Sequence, residues 1–594
     1  MLILLLHHTF STNSFTYDAS TKVLTINADG EYTKDNINEN RNECIKAIFT
    51  GSYNFIPSYI LSSASSLTTI EIIAPIQYIQ QSAFSRCQKL TSITIPDSVK
   101  SIGQRAFEGC SALETLKFPK SCRRVNNFLF KDCTSLKTID LSHVNDLGRN
   151  SFENCENLQT VTSSKLLLTI NQNCFLNCVK LTSITGLDNN EFFTFSSNSF
   201  KGCSSLTTMK ISRTQTEIPS SVFQGCSKLN LVFHDGIKKI LINSFTNTGM
   251  TEVVLPSELT ELEGSSFNQC NELTRVDFRY AQKLIKIGDN AFADCPKLST
   301  VLFSNKIETI GTDSFKNCNI LQLRLPTGLK QLNSGAFASN THLTDVVFFG
   351  INQKLGSNIF NGCTSLTKLS FTGNIDSPIP NNIFNGIENL KEILYCDYYS
   401  PPTDSTELTQ YQGLKVYIRS GYSDPKFFGV DVQEGGQNGC QVLYSNVPQD
   451  LPAKELPPPI PERIYCIVNG ENVFSPDGCN QNTNNNPSEN PVNDDGNNTN
   501  ETTQNDDKPK DDNNSNDNNT NDTTQNDDKP KVDNKPTPSS KPGDNNLDGK
   551  SNKTAVIAGS VVGVVAAVAI IAVVAVFMIK GKKTPVKIDG GVEP

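Results

Sequence analysis

Apolar side chains recur along this chain at short spacings nested inside a long one. Phenylalanines stand at 84, 107, 130, 152, 175, 200, 223, 245, 267, 292, 315, 337, 360 and 384, each 22 to 25 residues after the last. Most have a cysteine three residues on, at Cys87, Cys110, Cys133, Cys155, Cys178, Cys203, Cys226, Cys270, Cys295, Cys318 and Cys363. Phe245, Phe337 and Phe384 lack it. A Leu commonly follows, as at Leu90, Leu113 and Leu136, then an alternating pair such as Ile93 and Ile95, often closed by Pro. A weaker unit built on Leu61, Ala64, Leu67, Ile70 and Ile72 precedes the series, so about fifteen repeats are expected.

Each unit reads as two pieces. Leu90-Thr-Ser-Ile93-Thr-Ile95 alternates with period two and is β-branched, which predicts a short strand. Ala106-Phe107-Glu-Gly-Cys110-Ser-Ala-Leu113 places apolar residues three apart, which suits a helical or 3₁₀ turn. One such loop cannot bury its own apolar face, whereas stacked copies bury a continuous core with Phe over Phe. The expected fold is therefore an α/β repeat solenoid with one parallel sheet along its concave side.

The recurring pattern A-F-x-x-C-x-x-L-x-x-I-x-I-P resembles the BspA-like leucine-rich-repeat surface antigens of parasitic protists and some bacteria, over roughly residues 55–395. The resemblance implies cell-surface adhesion, and nothing in the periodicity itself speaks to that.

Around the repeats the chain divides further. Residues 1–54 read as an N-terminal segment and solenoid cap, with Lys22–Ile26 strand-like. Residues 396–479 read as a second cap and Pro-rich closing segment, opening with one more strand at Leu414–Ile418. Residues 480–554 collapse to Asn, Asp, Thr, Lys and Pro; so few apolar groups cannot offset ordering entropy, which predicts a disordered stalk. Residues 555–579 carry no charge and are long enough to span a bilayer. The tail 580–594 follows with Lys580, Lys582, Lys583 and Lys587, which orients it to the cytoplasm and the solenoid outward at the plasma membrane. Ala555, Gly559, Gly563 and Ala567 form a small-residue stripe that suits weak helix pairing through Gly559 and Gly563, or reflects Ala/Gly-rich composition alone. At the start, Leu2–Leu6 is a short apolar run cut by His7 and His8, which leaves three options: a minimal export signal, a misassigned start, or insertion directed by residues 555–579.

Composition changes this picture little. The net charge of −9 sits mostly in the stalk, where 15 acidic residues face 8 lysines, and no basic stripe marks the repeats. That argues against a nucleic-acid partner. Eighteen cysteines would suit a disulfide scaffold, yet eleven occupy one equivalent slot and read as a buried ladder of free thiols. Cys440, Cys466 and Cys479 lie outside the repeats and are the candidates for pairing. Six N-x-S/T sites, at Asn497, Asn500, Asn513, Asn518, Asn521 and Asn552, either glycosylate the stalk or arise by chance in Asn-rich sequence.

His143, His234 and His342 fall on separate repeats, and no catalytic, metal or cofactor motif is found; no enzyme activity and no cofactor are expected. Function then rests on the face of the sheet. The outward residue of each strand is polar from Glu71 to Lys210, but the later row runs Val232, Val254, Asp277, Leu302, Arg324, Val347. Such a run of apolar residues flanked by charge resembles a binding patch for a protein or glycan on another cell or on matrix. Strand propensity alone would give the same run, and so would coverage of the sheet by the chain after residue 396. The expected role is an adhesin or ligand-binding ectodomain; the alternatives are a signalling receptor and an antigenically exposed coat protein without a dedicated ligand.

Overall fold

One coil explains the rest. Ser92–Thr94 forms a strand whose Ile93 points inward; the chain turns at Pro96, and Ser101–Ile102 forms a second, two-residue strand that buries Ile102. A ribbon of turns then carries Phe107, Cys110 and Leu113 into the interior, all three fully buried, before the strand Thr115–Lys117 opens the next coil. The strands pair in parallel and in register: Ser92, Ile93 and Thr94 lie against Thr115, Leu116 and Lys117, and Ser101 and Ile102 against Tyr78 and Ile79.

The computed structural model describes residues 15–27, 37–188, 190–349, 354–373, 382–397 and 407–452, with the backbone alone of 465–468 and 471–474. The predicted stalk, the span 555–579 with Gly559 and Gly563, the tail, the six Asn sites, the N-terminal run and Cys479 lie outside these residues, as does the side chain of Cys466. Among the described residues no helix is long and apolar enough to cross a membrane.

Stacked coils give a parallel-sheet solenoid of leucine-rich-repeat type, and two expectations need correction. First, there are two parallel strand rows rather than one. The second row consists of two-residue strands from Phe55–Ile56 to Lys354–Leu355. Second, the expected helical or 3₁₀ segment is not a helix, so the repeats are not α/β. Residues two before and two after the Phe adopt left-handed backbone, for instance Arg105 and Gly109 around Phe107 and Asn150 and Asn154 around Phe152. Two such residues in five interrupt any helical run. Isolated i to i+3 bonds survive, as from Cys110 N–H to the Phe107 carbonyl at 3.1 Å. The ribbon's other amides reach the following coil: Arg105, Phe107 and Gly109 donate to Asn127, Leu129 and Lys131. The left-handed slots account for the abundance of Asn, Asp, Ser and Gly beside the Phe, because these residues tolerate positive φ.

Inside, the rings from Phe84 to Phe360 form one unbroken column. Neighbouring centroids are 5.1 Å apart between Phe267 and Phe292 and 5.7 Å between Phe107 and Phe130, and most successive pairs lie nearly parallel. Phe118, Phe278, Phe303 and Phe348, which follow the first-row strands or end them, meet the column edge-on. Phe384 is buried but leaves the column and packs edge-on against Phe428 of the closing segment.

The repeat cysteines are buried and unpaired. Each repeat thiol from Cys110 onward donates to a Phe carbonyl of the preceding coil; Cys110 to Phe84, Cys133 to Phe107, Cys203 to Phe175 and Cys363 to Phe337 do so at 3.1 to 3.2 Å. Cys87, in the coil after the weaker unit, donates to Leu61 instead. After Phe337 the slot holds Asn340, whose amide donates to the Phe315 carbonyl at 2.8 Å.

Both ends are closed. Phe15–Asp18 pairs antiparallel with Val23–Asn27, which pairs with Lys46–Thr50 and so covers the first coil. At the other end Glu392–Tyr395, Lys415–Ile418 and Val430–Glu434 extend the first row, and Tyr395, Tyr422, Phe427 and Phe428 plug the core. The first row lapses between Ser183–Thr185 and Glu252–Val254: the coils carrying Met209 and Leu231 keep these side chains buried but form no strand there.

Phe200→Ala empties a central position in the column and should cost about 3–5 kcal/mol. Lys137→Ala, which removes one exposed ion pair to Glu114, should cost less than about 1 kcal/mol. Urea denaturation followed by circular dichroism distinguishes the two.

Candidate functional site

The outward row of the first sheet is in register as the spacing predicts. Thr94 lies beside Lys117, Asp140 beside Thr162 and Thr162 beside Thr185. After the lapse, Val254 lies beside Asp277 and Asp277 beside Leu302; Arg324 then lies beside Val347, Val347 beside Ser370, and Ser370 beside Leu394.

Burial divides this row into an open and a covered part. Thr94, Lys117, Asp140, Thr162 and Thr185 are exposed. Val232 stands 88% exposed where the strands lapse, and Val254, Leu302 and Arg324 are half-buried. Val347 is only 1% exposed and Asp277 2%. The expectation that all six residues from Val232 to Val347 face water therefore fails at Asp277 and Val347.

Arg275 and Arg279 enclose the Asp277 carboxylate, and a strap lies over the later part of the row. After the last strand the chain forms the helix Gln437–Ser445 and runs back over the sheet to Pro452. Gly436 and Gly439 allow the approach: a β-carbon on Gly436 would stand 2.7 Å from the Ile418 carbonyl, and one on Gly439 would stand 3.0 Å from the Leu394 side chain. A disulfide between Cys396 and Cys440 fixes the helix beside Leu394, with Tyr417 and Leu443 packed around it. Cys440 is among the residues expected to pair; its partner Cys396 is not, because it directly follows a repeat strand and blends with the ladder. Tyr444 then donates to the Thr372 carbonyl at 2.7 Å. Further along, Asn305 donates from its backbone to Asp450 Oδ1 and from its amide to the Pro448 carbonyl, both at 2.7 Å. Leu451 N–H donates to the Arg279 carbonyl at 3.2 Å, and the Gln282 amide donates to the Leu451 carbonyl.

Between strap and sheet remains a pocket of about 800 Å³. Leu302, Leu321, Arg324, His342 and Thr344 line it from the sheet, and Pro448, Gln449 and Leu451 from the strap. Its charges are internally compensated. Arg324 Nη2 meets Asp345 Oδ2 at 2.6 Å. Asp277 takes Arg279 through Nε at 3.0 Å and Nη2 at 2.7 Å, and Arg275 through Nη2 at 2.8 Å. Burial pushes the Asp277 carboxyl up, but the Arg279 hydrogen bonds and the two guanidinium charges outweigh it and hold the group below the usual carboxylate range. The surface thus offers apolar contact and hydrogen bonds rather than net charge, which suits a neutral or mixed partner.

The histidines are used locally. His143 Nε2 bonds the Pro119 carbonyl and its ring lies on Phe118, His234 bonds the Gln215 carbonyl, and His342 Nδ1 meets Thr341 Oγ1. Among the described residues no cluster of His, Cys, Asp and Glu could hold a metal ion.

The sequence profile described as the BspA type leucine rich repeat region matches residues 8–103, 77–203, 193–319 and 277–391. Among solved structures, a leucine-rich repeat protein from Bacteroides ovatus is 22% identical, with 61% of this chain and 94% of that chain covered and a TM-score of 0.51. A leucine rich cell surface protein from Faecalibacterium prausnitzii is 20% identical over 68% of this chain and 97% of that chain, with a TM-score of 0.35. The first likeness supports the fold. No curated protein matches the chain.

Because the Asp277 carboxyl is depressed by folding, its contribution is complete above about pH 4 and is lost as pH falls through the folded value. Asp277→Asn, which replaces the carboxylate that Arg275 and Arg279 share with a neutral amide, should destabilise by about 1–3 kcal/mol at pH 7. The difference from the parent in thermal midpoint should shrink below about pH 4, a comparison that scanning calorimetry at several pH values makes.

Proposed function

Since the chain belongs to the BspA-type leucine-rich-repeat family, we propose that it is a cell-surface protein whose first sheet row binds a protein or glycan on another cell or on matrix. The observation that carries this reading is the open end of the apolar patch. Val232 is almost fully exposed, although a monomer gains nothing by presenting a valine to water there. Val254 and Leu302 continue it in the same row, and Leu302 and Arg324 also line the pocket beneath the strap. Large apolar groups held on a rigid scaffold and edged by compensated charge are what a partner can desolvate at little cost.

The anchoring belongs to the same proposal. Residues 555–579 would cross the membrane once, with Lys580, Lys582, Lys583 and Lys587 on the cytoplasmic side and Gly559 and Gly563 available for helix pairing. The segment 480–554 would hold the solenoid away from the bilayer, glycosylated at Asn497, Asn500, Asn513, Asn518, Asn521 and Asn552.

The full-length chain displayed on cells and screened against host cells, matrix proteins and glycans identifies the partner. Replacing Val232, Val254 and Leu302 together with Ser should then weaken attachment by about tenfold or more, with the melting temperature held within a few degrees. Unchanged attachment at an unchanged melting temperature rejects the patch.

A further inference from the structure

We propose that the stretch Asn446–Pro452 is a peptide bound in cis, and that the sheet face beneath it is a groove for an extended, proline-bearing peptide with a carboxylate placed as that of Asp450. The inference rests on the reading of the sheet face as a binding surface and adds what kind of partner it takes.

Its basis is how the strap is held. Beyond the helix the strap is not packed as a core element: Gln449 and Pro452 are exposed, and Val447, Pro448, Asp450 and Leu451 are only half-buried. Three of its four hydrogen bonds to the turns that follow the first-row strands use its own main chain, at the Pro448 carbonyl, the Leu451 N–H and the Leu451 carbonyl. Only one side chain is read, the Asp450 carboxylate, which accepts the Asn305 N–H. This is how sheet surfaces recognise extended peptides: main-chain bonds supply general affinity and one or two side chains supply selectivity.

The groove is also larger than its occupant. About 800 Å³ remains between the strap and the sheet, floored by Leu302 and Leu321.

The strap competes because it is tethered. The Cys396–Cys440 disulfide fixes its helix beside Leu394, six residues before the stretch begins, so its local concentration far exceeds that of any free peptide. Loosening the tether should open the groove.

The test uses the purified full-length chain, its Cys440→Ser and Asp450→Ala variants, and a fluorescent peptide carrying residues 446–452. Hydrogen exchange around Arg279, Gln282 and Asn305 should rise in both variants. The peptide should bind Cys440→Ser about tenfold or more tightly than the parent, by anisotropy. A peptide with Asp450→Ala should bind about tenfold more weakly than the original. Exchange that rises while the peptide binds no better overturns the groove; exchange that stays unchanged in both variants overturns the displaceable strap. Should Cys440→Ser fail to fold, Asp450→Ala decides alone, since its only hydrogen bond from the strap is to one backbone amide. None of these readouts depends on the natural partner, so failure of the Val232, Val254 and Leu302 replacement would leave this proposal standing, and the converse holds.

Discussion

Besides the strand pairing and the ribbon's amides, each coil meets the one before it at one buried carbonyl, that of the repeat Phe. The Phe side chain lies in a continuous aromatic column, while its carbonyl is enclosed with it and needs donors that water cannot supply. One comes from the same turn, as Cys110 N–H gives to Phe107. The other is the thiol of the next coil, as Cys133 gives to Phe107. Serine would supply a stronger donor but less apolar volume, and valine would fill the volume and leave the carbonyl half-satisfied. Cysteine does both modestly, being a small hydrophobe with a weak S–H donor. Asn340 shows that the donor matters as well as the volume, because its amide reaches the Phe315 carbonyl where no cysteine is present.

Much of this architecture is legible in sequence because it is periodic. The Phe spacing sets the number of coils, the alternation at residues such as Ile93 and Ile95 locates the first strand row, and the outward residues fall in register as counted. The second row is not legible, since two-residue strands such as Ser101–Ile102 carry no alternation to detect. The turn ribbon passes for helix in sequence because the three-residue spacing of Phe107, Cys110 and Leu113 fits both. The distinguishing signal is the polar residue two before and two after each Phe, as at Asn150 and Asn154, which marks left-handed backbone.

The site is legible only in part, for a different reason. Which residues face outward follows from local alternation; which of them meet water depends on chain far away. The strap reaches the coils of Asn305 and Arg279 across well over a hundred residues of sequence, whereas Asp277 is enclosed by its neighbours Arg275 and Arg279. The closing segment has no repeat to extrapolate from, and Cys396 hides its role by sitting at the edge of a ladder of unpaired cysteines. A long-range return of this kind is the expected limit of reasoning from period and pattern. It leaves Val232 and Val254 in the open part of the row and sets Leu302 and Arg324 in the pocket beneath the strap.

The coupling of coil to coil requires that the repeat thiols stay in the interior, hydrogen-bonded and unpaired. Burial pushes the thiols of Cys87 and Cys363 up to about 12, and those of Cys110, Cys133, Cys178, Cys203 and Cys270 well above the ordinary range, so they should not react while folded. Alkylation of the unreduced native chain with iodoacetamide, followed by peptide mass spectrometry before and after denaturation, measures this directly. The expected result is no labelling of the eleven repeat cysteines until the chain is denatured and full labelling afterwards, with Cys396 and Cys440 recovered as a disulfide. Labelling in the native chain, or recovery of the repeat cysteines in disulfides with one another, would contradict it.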